Sequence, residues 1–294
     1  MTPGEALSAW TLDPGVVLAL ASTGVLLWVG TRRDRQRHRP LTTRRSTTLA
    51  ASGLGVLALA LLSPVDAAAT TLVSAHMVQH LLLGLVAPLL LVGGSIATPV
   101  LGGLPRGLRR GAAWWRHRLH LARVRRHPVA VGLGAVALHA GSFWVWHLPP
   151  LYDAAVEHDV LHALEHGTLL GGGLALWYSV LGACRRRRAG WSVVVLFLAG
   201  LTSGALAALL TLAPRPLYQA QPALVETWGL TRLSDQELAG ALMWVVGGLV
   251  YLVSAVVIFV RWLDGETIPS RGRGTAIAGP PSPSTPSQTL ATTP

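Results

Sequence analysis

Lysine is absent from this 294-residue chain, cysteine occurs once, and methionine and phenylalanine occur three times each. The lone Cys184 excludes an internal disulfide, dithiol redox chemistry and a thiolate metal centre. Three methionines are too few for a thioether relay, so imidazole must do most of the work of any metal binding here. Charge is scarce as well. Only 13% of residues are charged, against about 25% in soluble domains. No phosphate-cradling glycine loop, G-x-S-x-G or H-E-x-x-H stretch is present. "GGGLAL" at 171–176 reads as close helix packing. What the chain has in quantity is apolar residues, 51% of the total and gathered into long blocks. That combination predicts an integral membrane protein.

Seven blocks have the length of a bilayer crossing, near 14–30, 48–63, 73–97, 129–147, 159–182, 191–213 and 238–262. The fold class expected is all-α: a polytopic membrane protein, a bundle of seven transmembrane helices over 1–263. The segment 264–294, rich in Pro, Ser, Thr and Gly, is expected to be a disordered cytoplasmic tail. The first block does not read as a signal peptide, because Glu5 and Asp13 precede it and Arg32 and Arg33 follow it.

The net charge of +11 invites a nucleic-acid partner, but the placement of charge argues against one. All 24 basic residues are arginines between the apolar blocks, and 22 of them fall in alternate gaps. The positive-inside rule then places the N-terminus outside and the C-terminus in the cytoplasm. The lipid bilayer is the partner that the composition implies. The basic stretch 98–128, with Trp114 and Trp115, suits an amphipathic segment on the anionic inner surface.

Eleven histidines are present. His38, His117, His120 and His127 lie in basic connections and read as solvated residues. His139 lies near mid-depth of span four. The other six gather at one end. His76 and His80 open span three, His147 closes span four, and His158, His162 and His166 open span five. All six face the outer mouth in this topology. The i, i+4 spacing of His76 and His80 puts both on one helix face. His158, His162 and His166 form a similar stripe, with Glu165 beside it. Neutral imidazole suits Cu, Zn, Fe and Ni, and ionisable groups inside a span mark a site. The expected ligands are His76, His80, His158 and His162, with His147 or His166 assisting. The outer two of the stripe lie about 12 Å apart along the axis, so two separate sites are an alternative. Glu165 is expected to hydrogen-bond an imidazole rather than ligate. Ser234 and Glu237 fit a capping box. Capping also accounts for Asp235, which could instead supply an oxygen ligand. Trp144, Trp146, Trp228 and Tyr152 fit an outer aromatic belt, and Pro88 should kink span three. Gly240 and its small neighbours should allow close packing.

"HMVQH" at 76–80 with "AP" at 87–88, "WHLPPLYDAAVEHDVLHALEH" at 146–166 and "DQELAGALMW" at 235–244 together resemble the seven-span cytochrome c oxidase assembly factor family (CtaG-like). The resemblance covers about 70–260. It departs after span three, where Gly93, Gly94 and Ser95 lead only later to Pro99, and in the long basic segment 98–128. It implies a multi-pass protein of the bacterial inner membrane that helps build haem–copper cytochrome c oxidase. Oxidase subunits would be its partners and copper its metal, and no catalysis would be its own. A copper permease, a haem-binding membrane protein and a metal-free scaffold remain alternatives.

Overall fold

The computed structural model describes residues 3–37, 40–118, 127–182, 189–220 and 225–267. Among them every regular element is helical. His38, His120, Cys184, Arg185 to Arg188 and the expected tail beyond Thr267 fall outside these residues.

The helices are α1 (Pro3–Ser8), α2 (Pro14–Arg35), α3 (Arg44–Leu62), α4 (Pro64–Ala69), α5 (Val73–Leu81), α6 (Ala87–Gly93), α7 (Ala97–Gly103), α8 (Arg106–Arg118), α9 (Pro128–Trp146), α10 (Pro149–Glu157), α11 (Asp159–Gly182), α12 (Ala189–Leu212), α13 (Arg232–Leu242) and α14 (Gly248–Thr267). A π-turn, Leu82–Val86, fuses α5 to α6, and another, Met243–Gly247, fuses α13 to α14.

Six of these rods are long and apolar enough to cross a membrane: Pro14–Arg35, Arg44–Leu62, Val73–Gly93, Pro128–Trp146, Ala189–Leu212 and Arg232–Asp264. The fifth expected block, α11, has 24 residues and therefore the length. His162, Glu165 and His166 in its first half lower its hydropathy. The α5–α6 rod is the most enclosed of the six, with 61% of its window buried against 39% for the next. It packs against α3, α11 and α13, and α11 packs in turn against α9.

Glycine sets these approaches. A Cβ on Gly84 would lie 2.7 Å from the Phe143 ring of α9, and one on Gly172 would lie 3.1 Å from His139 Cα. A Cβ on Gly173 would strike the Gly84 carbonyl itself. So α11 meets α9 and the π-turn of the α5–α6 rod nearly backbone to backbone, and the Phe143 ring of α9 lies against Gly84. The "GGG" run is the packing stretch the sequence implied, and Gly240 packs against Thr211 and Ala207 as expected. Pro88 cannot donate to the Gly84 carbonyl, and the chain answers with the π-turn rather than a sharp break. Within that turn the Trp177 indole donates to the Leu85 carbonyl at 3.0 Å.

Several local expectations need correction. The connection 148–158 is itself a helix, α10, with Tyr152 and Ala155 buried. The capping box of the last rod is Thr231 with Ser234, not Ser234 with Glu237. It lies one turn earlier because Thr231 is the last extended residue. Trp144 is 37% exposed, but Trp146 and Tyr152 are buried and do not form a belt. Trp146 donates its indole N–H to Thr168 Oγ1 at 2.8 Å, which ties α9 to α11. The basic stretch 98–128 begins with α7 packed on α2, where Arg33 donates to the Gly102 and Gly103 carbonyls at its end. Leu108 and Trp114 of α8 are exposed.

Candidate metal centre

His76 and His80 sit in the first two turns of α5, and both are buried to 1% exposure or less. Leu72, at the N-cap of this helix, provides no side-chain cap. The cap comes from Asp235 of α13, whose carboxylate accepts from Val73 N at 2.7 Å and Ser74 N at 3.1 Å. Asp235 therefore fixes the start of α5 and stands apart from the imidazoles. An anion suits the positive end of a helix. Gln79, also buried, holds the same helix by donating to Ala60 O and Asp66 Oδ1.

Glu165 of α11 is fully buried and lies between the two imidazoles. Its Oε1 is 3.2 Å from His80 Nε2 and its Oε2 is 3.5 Å from His76 Nε2. His162 and His166, half-buried on the same helix, stand on either side of it. The His76 ring stacks on His162 at 5.4 Å, and His162 and His166 are 4.1 Å apart. Two sets thus share one carboxylate: His76, His80 and Glu165, fully buried, and His162, Glu165 and His166, more open. In each set the donor atoms lie within 4.8 Å of one another.

His147 caps the end of α9, with its ring 5.5 Å from His80. His158 does not reach the cluster. It adopts an extended conformation after α10, is exposed, and breaks the stripe before α11 begins. Among the six outer histidines, five gather around Glu165 and one stays outside. His139 lies deeper, bonded to Tyr251 Oη at 2.6 Å, with Phe143 between it and His147.

The mouth is covered. Tyr152 of α10 lies 5.0 Å from His76 and 3.9 Å from Tyr218 of the loop before α13. Burial pushes the Tyr218 hydroxyl up, and it donates to the His147 carbonyl at 3.3 Å. Asp153 holds this loop by accepting from Gln219 N and Ala220 N, and Arg232 donates to Tyr218 O.

The chemistry of this cluster lies in what it leaves unmade. His76 Nε2, both ring nitrogens of His80, His162 Nε2, His166 Nε2 and both Glu165 oxygens are buried without hydrogen-bond partners. Four of these atoms, His76 Nε2, His80 Nε2 and the two Glu165 oxygens, face one another at 3.2–3.5 Å, and with His162 and His166 each residue can offer one ligand atom to an ion. Imidazole nitrogens with one carboxylate make a donor set for a divalent or soft transition-metal ion.

Sequence reasoning set Glu165 in a supporting role, and its central position is visible only once α5 faces α11. Met77, one of the three methionines, places Sδ 2.9 Å from His147 Nε2.

Comparison with known proteins adds a family. The model of the cytochrome c oxidase caa3 assembly factor family matches residues 25–265. Uncharacterized proteins of Mycobacterium bovis and Mycobacterium tuberculosis are each 25% identical over 214 residues, 68% of this chain and 31% of theirs. The chain thus spans about a third of the length of the curated relatives it matches. No solved structure matches.

Proposed function

The chain belongs to the cytochrome c oxidase caa3 assembly factor family, and from that premise we propose that it handles copper for the oxidase at the outer mouth of its bundle. Copper is the cargo. His76, His80 and Glu165 hold it in the enclosed set, and His162 and His166 form the more open set through which it arrives and leaves. Glu165 belongs to both, so an ion can pass between them by exchanging imidazoles while keeping one oxygen. The partners are oxidase subunits receiving the ion within or at the surface of the bilayer. The family role is assembly, not catalysis. The observation that carries this reading is the pair of donor sets, His76, His80 and Glu165 and His162, Glu165 and His166, in each of which the ligand atoms lie within 4.8 Å of one another.

In this reading α11 is the fifth span and completes the count of seven in a multi-pass protein of the bacterial cell membrane. The arginine asymmetry sets the N-terminus outside, so the cluster faces the extracytoplasmic side. A permease is disfavoured by the interior. Inward of the cluster the next imidazole, His139, is committed to Tyr251, and the Phe143 ring intervenes.

Deleting the gene should leave oxidase polypeptides in the membrane but depleted of copper. The wild-type copy should restore copper and a His76→Ala, His80→Ala copy should not. Normal copper occupancy in the deletion strain would overturn the proposal.

A further inference from the structure

Met77 lies between the two histidines of α5 in the chain, yet its side chain turns toward α9 instead of α11. Its Sδ is 2.9 Å from His147 Nε2. The other nitrogen of that ring, Nδ1, is 2.7 Å from the Phe143 carbonyl oxygen. A carbonyl only accepts, so Nδ1 carries the hydrogen and a neutral His147 leaves Nε2 with a bare lone pair. A thioether sulfur offers lone pairs too. Two such donors therefore face each other at less than the usual ~3.5–4 Å of non-bonded contact, with no hydrogen between them.

A second proton on Nε2, or a cation held to one side that draws on both lone pairs, would relieve that contact. A second proton would create an imidazolium where His147 is 4% and Met77 0% exposed. Met77 belongs to a buried apolar cluster with Phe143, Leu206, Tyr218 and Met243, and both oxygens of Glu165, the nearby carboxylate, are directed at His76 and His80. An unpaired buried charge there is costly. A soft monovalent metal ion meets no such objection, because thioether with imidazole is a donor pair suited to Cu(I).

We propose that Met77 Sδ and His147 Nε2 form a soft-donor position for Cu(I), beside the histidine–glutamate cluster and feeding it. This rests on the copper reading above and specifies the oxidation state of the cargo. The step from one position to the other is an exchange of neutral donors, from Met77 and His147 to His80, whose ring is 5.5 Å from His147. No electron moves. The enclosing Tyr152 and Tyr218 rings keep water from the ion while it moves.

The test uses the full-length protein in detergent, loaded anaerobically with Cu(I) and examined by X-ray absorption and by competition with a chromophoric Cu(I) chelator. The wild type should show sulfur among the nearest scatterers. Met77→Leu, close in volume, should lose that sulfur. Its Cu(I) affinity should fall at least about tenfold, the scale of losing one supporting group, while Zn(II) affinity holds. A wild-type spectrum with only nitrogen and oxygen neighbours overturns this inference and leaves the copper reading standing; it needs no variant to fold. A wild type that binds no copper overturns both.

Discussion

Replacing Asp235 by Asn separates the two roles that its position allows. In the structure both carboxylate oxygens are spent on the amides of Val73 and Ser74, 162 and 161 residues away in the chain. Asn keeps the shape and one acceptor but turns an N–H donor toward one of those amides. Hydrogen bonds to a charged group are worth about 1.5–3 kcal/mol each. Losing one and weakening the other should cost about 2–4 kcal/mol. The favourable charge at the helix end, about 0.3–1 kcal/mol, is lost as well. For a chain of this size each kcal/mol lowers the melting temperature by roughly 2–4 °C. Asp235→Asn should therefore melt on the order of 10 °C lower in detergent. Metal content per folded molecule, measured by mass spectrometry on protein kept well below its melting point, should stay within about twofold of wild type, since the residue touches no ring of the cluster. A variant with wild-type melting and lost metal would refute this reasoning, because the carboxylate would then be serving an ion.

Two further outcomes follow from the site. Glu165→Gln preserves volume and removes the anionic oxygens shared by both donor sets. Metal affinity should drop at least about tenfold in a protein that still folds, as titration against a chelator would show; unchanged affinity would remove Glu165 from the site. His158→Ala should change neither metal affinity nor stability, the latter by less than about 0.5 kcal/mol, as thermal melting of metal-loaded and metal-free protein would show.

The fold was legible in outline because its signals are local. Apolar runs of bilayer length follow from the length rule alone, and six of the expected rods have that composition. The least apolar block, α11, holds half of the donor cluster: His162, Glu165 and His166 lower its hydropathy by the same polarity that makes them candidate ligands. The five clustered histidines were legible because i, i+4 spacing puts groups on one face whatever the tertiary context. His158 was misjudged because that rule assumes an unbroken helix, and the chain is extended there before α11 starts at Asp159. Tyr152 looked like a belt residue until α10 folded inward and set it against Tyr218.

By itself the sequence determined that this chain is a helical membrane protein with an imidazole-rich end, because period, length and charge placement are written residue by residue. Only the tertiary structure decided how those imidazoles are arranged. Gly84, Gly172 and Gly173 let α11 close on α9 and on the π-turn that follows α5 at backbone distance, and that closeness delivers Glu165 between His76 and His80. Asp235 is turned by the same packing from a possible ligand into the cap of a helix 160 residues away. Contacts of that reach depend on which helices are neighbours, and no local pattern in the chain encodes that.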